Sequence, residues 1–460
     1  MNYDNAARIT AAVSAILCVS LMAAEVFASG FYLPGRGVRP LGRAGAYVAS
    51  GDGDLNSLWY NPANLTLSDG LTLTVDASAV DLGFDFQRAP RVEDDRQITY
   101  DPVSNSAPPE LIPQLMIGGP TPVDKLSWAA GFYTPYMSSA TFPENGPQRY
   151  TLIDNKGSLM AFLNAAVSYE ISENIRVGAG FQNVIASFRL VSVTSGYTGT
   201  FGRPEDQDLD ILTQIDLQDF FSPAGNVGMW VSLGPALEAA ISAQTPVLIH
   251  DDDAKLNVRM PSHPAFDGAR LSNDSVAGGF TLPAIVRVAL RLVVDPVDVE
   301  LAGVWEGWSV FDEIAAKPND VNVENVSGVG AIPVGPLTLP HNYRDTFSVR
   351  LGGDYRASQD LSLRAGYTFE TGAVPDDHYS VFLPDSDKHM IAAGLSWNLD
   401  KWSLDAGTAY YFLADREITD SKMRQINPTD ADDELATVVG NGEYSSRYFV
   451  FGLGANYRFE

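Results

Sequence analysis

The stretch Leu71-Thr72-Leu73-Thr74-Val75-Asp76-Ala77-Ser78-Ala79 carries an apolar residue on every second position. A β-strand sends successive side chains to opposite faces, so this segment has one greasy face and one wet face. The same period returns at Leu361-Ser362-Leu363-Arg364-Ala365-Gly366-Tyr367-Thr368-Phe369-Glu370, where the wet face carries charge. Working outward, such segments fall near 71–82, 110–119, 126–134, 158–170, 173–190, 224–233, 236–249, 280–293, 297–309, 344–356, 360–371, 388–398, 401–414 and 446–459. A soluble sandwich shows a few strands of this kind. A long train of them is the pattern of a transmembrane barrel, whose strands meet lipid on one side and a lumen on the other.

The connectors support that reading. Short ones lie around Pro120 to Lys125, Ile171 to Glu173, Gly234-Pro235, Asp295-Pro296, Arg356 to Gln359 and Leu399-Asp400, and they alternate with long ones at 83–109, 135–157, 191–223, 250–279, 310–343, 372–387 and 415–445. Short periplasmic turns and long outer loops are the rule for such barrels, and an even strand count puts both barrel ends on the periplasmic side. The expected fold is therefore all-β, a 14-stranded antiparallel transmembrane β-barrel spanning 71–460. Trp128, Tyr169, Trp305, Trp308, Tyr355, Trp397, Trp402 and Phe459 stand near strand ends, where interfacial girdles are expected.

Composition agrees. Charged residues make up only 19 %, and after the N-terminus no run of about 18 apolar residues exists to form a helical span. Residues 1–28 read as a secretory signal: Arg8, an apolar stretch from Ile9 to Ala24, then Val26-Phe27-Ala28 at the cleavage site. The single cysteine, Cys18, lies in that signal, so the mature chain has no disulfide, thiolate metal site or cysteine nucleophile. A net charge of −27 disfavours nucleic acid as a partner. The acids cluster in the long connectors, at Glu93-Asp94-Asp95, Asp206 to Asp219, Asp251-Asp252-Asp253 and Asp430 to Glu434. Solvated loops at a cell surface are the plain explanation, with divalent-ion binding as the alternative.

Residues 29–70 do not alternate. Gly35, Gly37, Gly42, Gly45, Gly51 and Gly53 permit tight bends, while Leu33, Leu41, Leu55, Leu58, Trp59 and Tyr60 need burial. A segment too polar for lipid and too apolar for water fits inside the barrel as a hatch. Its glycines are not a phosphate loop, because no Gly-Lys-Ser/Thr follows.

Several motifs in order give this chain a family resemblance. Gly30-Phe31, Leu41-Gly42-Arg43-Ala44 and Asn61-Pro62-Ala63 stand in the N-terminal block. Downstream come Ala130-Gly131-Phe132-Tyr133-Thr134-Pro135, Arg149-Tyr150, Leu282-Pro283-Ala284, Trp305-Glu306-Gly307-Trp308-Ser309-Val310-Phe311, Leu363-Arg364-Ala365-Gly366-Tyr367 and Leu383-Pro384-Asp385-Ser386-Asp387. Together these resemble the long-chain fatty acid transporters of the FadL/TodX type, from residue 30 to the C-terminus. The resemblance implies an outer-membrane protein for passive uptake of hydrophobic compounds, long-chain fatty acids first, with aromatic hydrocarbons as the rival cargo. It implies an outer hydrophobic groove, a lumen pocket, and exit through the wall when the hatch shifts. It places the wall opening at a kink in the third strand, here Gly131 to Pro135, beside Asn61, Pro62 and Ala63.

The residues suit that scheme. Pro135 cannot donate a ladder hydrogen bond and Gly131 weakens its strand, so both favour a local break in pairing. Unpaired backbone cannot face lipid, so a break must be lined from inside, and Asn61 is a candidate for that. Release is the physical difficulty: burial of roughly 0.8 kcal/mol per CH₂ holds a sixteen-carbon tail by on the order of 10 kcal/mol. Alternation points Arg176, Arg287, Arg291, Glu300, Glu306, Arg350, Asp354, Arg364, Glu370 and Asp405 into the lumen, mostly as ion pairs. Arg350 or Arg364 is the candidate to meet a ligand carboxylate. In loop 191–223, Leu209, Leu212, Ile215, Leu217, Phe220 and Phe221 form an apolar stripe at helix spacing, a candidate outer groove or a short rim helix. The five histidines lack a serine partner, which opposes an outer-membrane phospholipase, and the hatch opposes an open porin. No cofactor or metal is expected. The expected partners are a hydrophobic small molecule and the surrounding outer-membrane lipid and lipopolysaccharide, with the chain acting as a monomer.

Overall fold

A computed structural model describes residues 36–459 apart from 52, 68–69, 94, 137–138, 200–201, 329 and 428–434; the signal reading of 1–28 and the Gly30-Phe31 motif lie outside the described residues. Fourteen antiparallel strands close into a barrel. They are β1 (Thr72–Arg88), β2 (Glu110–Pro120), β3 (Leu126–Tyr136), β4 (Leu159–Ser172), β5 (Ile175–Ser195), β6 (Asp210–Ser232), β7 (Leu237–Gln244), β8 (Ile285–Val294), β9 (Val297–Glu306), β10 (Thr346–Arg356), β11 (Leu361–Glu370), β12 (Lys388–Leu399), β13 (Trp402–Leu413) and β14 (Gly442–Arg458). Each pairs with its neighbour in the chain, and β14 returns to β1 from Thr72 opposite Arg458 to Arg88 opposite Gly442. Closure leaves no first or last strand to template aggregation.

Alternation sets which face is which. On β11, Leu363 and Tyr367 are exposed on the outer wall, while Arg364, Thr368 and Glu370 are buried in the lumen. On β14, Phe449, Phe451 and Leu453 face outward. Tyr169, Tyr355, Trp397, Trp402 and Phe459 are exposed near strand ends, as girdle residues should be. Trp308 is not one of them. It is fully buried inside the mouth of the barrel, because the chain leaves β9 at Glu306 and turns inward through Gly307.

Two further expectations need correction on the outer side. The stripe in 191–223 is not helical: β5 and β6 simply continue past the wall, with Val193 opposite Leu212 and Ser195 opposite Asp210. Ile211, Thr213 and Leu217 are the buried positions, so the period of two prevails over the helix-spaced set. The wall strands read as 236–249 and 280–293 are each broken. The wall strand β7 ends at Gln244, and a separate strand, Val247–Arg259, leaves the barrel and pairs with Ser275–Leu282. Pro246 and Pro283 stand at the breaks, where a missing N–H interrupts the ladder. With Glu313–Pro318 and Leu337–Pro340 these segments build a β-rich cap over the outer mouth.

The cap's core is aromatic. His341 is buried with its ring 5.1 Å from Phe311, 5.2 Å from Tyr343 and 5.6 Å from Phe382, and burial pushes its imidazole down to about 4. An unfolded histidine near pKa 6.5 takes up a proton that the folded one refuses, so this site favours the folded cap above about pH 6.5. That contribution is lost progressively as pH falls towards 4, by up to about 3 kcal/mol. We expect the near-ultraviolet dichroism of the aromatic cluster to weaken between pH 6.5 and 4, and the H341Q variant to flatten that dependence.

Candidate functional site

The hatch fills the periplasmic half of the lumen. From Arg36 to Leu65 nearly every described residue is buried, in two short helices, Val38–Gly42 and Ser57–Tyr60, followed by a 3-10 turn, Pro62–Leu67. It lies against wall glycines. A Cβ on Gly352 would stand 2.3 Å from the Arg43 carbonyl oxygen, and one on Gly178 would stand 2.4 Å from the Pro62 carbonyl carbon. Only a residue without a side chain lets another backbone approach a strand this closely.

Charge fixes the hatch to the wall. Arg43 bridges Asp298 at 2.8 Å and Asp354 at 2.6 Å, and Arg39 bridges Asp405 and Asp54, each at 3.0 Å. Glu300 accepts the backbone N–H groups of Val48 at 2.7 Å and Ala49 at 3.2 Å. Asp76 accepts that of Val38 at 3.0 Å. Arg39, Arg43, Asp54, Asp298 and Asp354 border a polar cavity of about 200 Å³ beside the hatch, also lined by Arg291 and Arg364. Arg364 is engaged there: it meets Asp354 at 3.0 Å, Ser396 at 2.7 Å and Asp405 at 3.6 Å.

Above the hatch the lumen turns apolar. Trp59 stands edge-on to Tyr133 at 5.5 Å and to Phe162 at 5.7 Å; Tyr136 reaches Trp308 at 6.2 Å, which continues to Phe311 at 6.0 Å. This aromatic column merges with the core of the cap. Beside it runs a buried ionic chain. Arg350 lies 3.6 Å from Glu370 and 3.9 Å from Glu306, and Lys388 lies 3.1 Å from Glu370 and 2.6 Å from Asp385. In the outer loop, burial pushes the Asp385 carboxyl up to about 8 despite Lys388 beside it.

The wall itself is split. Strands β2 and β3 pair from Pro120 opposite Ser127 up to Leu115 opposite Phe132 and no further. Above that, Glu110–Gln114 pairs with β1, while β3 turns to β4 and shifts register between Tyr133 and Tyr136. The hydrogen bond from Ser139 to the Glu110 carboxylate, 2.8 Å, closes the top. The window is about 17 Å tall at roughly 3.4 Å per residue. From the lumen side, Arg36 donates through Nε at 3.0 Å, and also through Nη2, to the carbonyl oxygen of Pro135.

Against this geometry the sequence-derived site residues separate. Pro135 lies in the window, and Gly131 lies just below it, paired with Met116 and Asn164. Asn61, Pro62 and Ala63 make their hydrogen bonds elsewhere on the wall. Asn61 donates to the carbonyls of Val48 and Met229, and Ser168 donates to the Ala63 carbonyl, so this segment anchors the hatch to β4–β6. The group that lines the break is Arg36, a residue in no motif. Arg350 and Arg364 are both in the lumen, but on different levels, above and beside the hatch. Phe220 and Phe221 are exposed on β6, outside the lumen, next to Asp219, which caps the Phe221 N–H. Among the described residues no cluster of three or more His, Cys, Asp or Glu side chains converges as a metal site.

Known proteins share this architecture. A Pseudomonas aeruginosa FadL homologue of known structure superposes with a TM-score of 0.74 at 17 % identity, covering 94 % of this chain and all of that one. The Pseudomonas putida toluene transporter TodX superposes at 0.63 and 15 % identity, over 93 % of this chain and 99 % of its own. The long-chain fatty acid transport protein of Escherichia coli O6:H1 is 22 % identical over 420 residues, 86 % of this chain and 89 % of that protein. The family model for outer membrane protein transport proteins (OMPP1/FadL/TodX) matches residues 19–459. The chain therefore belongs to that family, a family of outer-membrane β-barrels that transport hydrophobic compounds.

Proposed function

We propose that this protein carries long-chain fatty acids across the outer membrane by passive uptake, releasing them sideways through the window between β2 and β3. The observation that carries the reading is the stacking of three features on one path. An apolar aromatic column stands above, an ion-paired hatch blocks the bore below, and the wall is unpaired between Leu115 and Glu110 beside that column. A ligand in the column cannot continue straight down past Arg39 and Arg43, whereas the window opens towards lipid. The family to which the chain belongs consists of transport proteins, which supports a carrier over an enzyme.

An aromatic hydrocarbon is the rival cargo, since TodX, one of the structural relatives, is a toluene transporter. The buried Arg287 at the column favours an acid over a hydrocarbon, because apolar cargo gives it no counter-charge. Phe220 and Phe221 offer apolar contact on the outer surface, suited to first capture. We expect the protein to work as a monomer with its outer strands facing lipid and lipopolysaccharide. Native mass spectrometry of protein extracted in a mild non-ionic detergent tests the assignment. A co-purifying mass in the fatty-acid range, displaced by added oleate and not by toluene, is the expected result; displacement by toluene alone would establish the rival.

A further inference from the structure

Arg287, on β8, stands apart from the closely ion-paired lumen arginines. It is 1 % exposed, and its Nε and Nη2 have no hydrogen-bond partner within the protein. Its guanidinium carbon lies 4.9 Å from the centre of the Trp59 ring, on the hatch. Among the described residues no carboxylate oxygen comes within ion-pair distance of it. Glu306 is within its electrostatic reach, but that carboxylate already accepts from the Trp308 indole N–H at 2.9 Å and faces Arg350. Arg39, Arg43, Arg291 and Arg364 each hold an acid at 3.3 Å or less, so a lumen arginine is normally compensated here.

A second polar side chain joins it. Gln244, on β7, is 3 % exposed, and neither its amide nitrogen nor its amide oxygen has a protein partner. In the β7–β8 ladder Ser242 faces Arg287 and Gln244 faces Ile285, so Gln244 and Arg287 are diagonal neighbours on the lumen face. Diagonal inward pairs in an antiparallel ladder lie within reach of one bound group. Buried donors on a guanidinium and an adjacent amide fit a carboxylate, which accepts through both oxygens.

We propose that Arg287 and Gln244 form the receiving site for the carboxylate of an acyl ligand, which deepens, and rests on, the fatty-acid reading above. Trp59 is the hinge of the arrangement, since one ring touches Arg287, Tyr133 and Phe162. A headgroup on Arg287 thus lays its tail along Trp59 into the aromatic column beside the window. Ligand charge is thereby sensed directly by the hatch.

The test compares oleate with oleyl alcohol, identical in tail and lacking the charge, by equilibrium dialysis against purified protein in non-ionic detergent. Wild type is expected to bind oleate at least about tenfold more tightly than the alcohol, and R287Q to abolish that preference while leaving alcohol binding unchanged. R287K retains part of it, and Q244L, a second variant in case R287Q does not fold by heat-modifiable gel mobility, reduces it. An unchanged preference in R287Q and Q244L, or equal loss of both ligands, overturns the assignment while leaving the uptake reading intact. Wild type that binds neither ligand overturns both.

Discussion

Replacing Arg43 with alanine is expected to unlock the hatch and turn a closed barrel into a conducting one. Its side chain is 2 % exposed and holds Asp298 and Asp354 together from the hatch side. Removing one member of a buried ionic cluster costs about 3–5 kcal/mol, because the remaining charges stay buried without compensation. If that cost falls on the docked state, the undocked population rises by about two to four powers of ten. Single-channel recording in planar bilayers reads the change directly, as large steps in R43A against a quiet wild type. A second route reaches the same state without touching charge. In G366V the new side chain begins 2.3 Å from the Arg43 carbonyl carbon, so hatch and wall cannot both keep their places. Conductance unchanged in both variants would mean that Glu300, Asp76 and the Asn61 anchors hold the hatch by themselves.

The wall was legible in the sequence because lipid and lumen impose opposite demands on neighbouring residues. Leu361 to Glu370 and Phe449 to Phe459 alternate without interruption, and the strands lie where that pattern put them. The outer side was harder to read, since a strand that leaves the membrane no longer has to alternate grease with charge. Ile211 to Leu217 sits among acids, and its helix-spaced leucines concealed a strand. Val247 to Arg259 continues the period of β7, so only Pro246 marks the point of departure. Lumen residues were identified correctly as a class, Asp405 and Glu300 included, but not with their partners. Arg39 and Asp405 are 366 positions apart, and Arg43 and Asp298 are 255 apart, distances no local pattern spans. The hatch footprint did leave a trace in the wall glycines at 178, 352 and 366, whose meaning required knowing what approached them. Arg36, in the non-alternating hatch segment, had no signal at all, and Arg287 had none beyond alternation. Their importance lies in what surrounds them: a carbonyl without a ladder partner in one case, and no acid in the other.

Bridging the window should stop transport without emptying the binding site. Gln114 and Thr134 flank the split on β2 and β3, both are buried, and neither strand pairs with the other at that height. Cysteines at these two positions, joined by a short thiol-reactive cross-linker with a reducible spacer, tie the strands across the stretch where their ladder is missing. If cargo leaves through this window, uptake of labelled oleate by cells or proteoliposomes is expected to fall at least about tenfold in the bridged Q114C/T134C protein and to return on reduction. Oleate binding should stay near the wild-type value, because the aromatic column from Trp59 to Phe311 is untouched. In contrast, R36A removes the two donors that cover the Pro135 carbonyl, leaving a strand edge exposed towards lipid. That variant should release bound oleate faster, so the two changes move the exit rate in opposite directions from one place in the wall. Bridged protein that transports at the unbridged rate would show that cargo takes another path, through a displaced hatch into the periplasmic mouth.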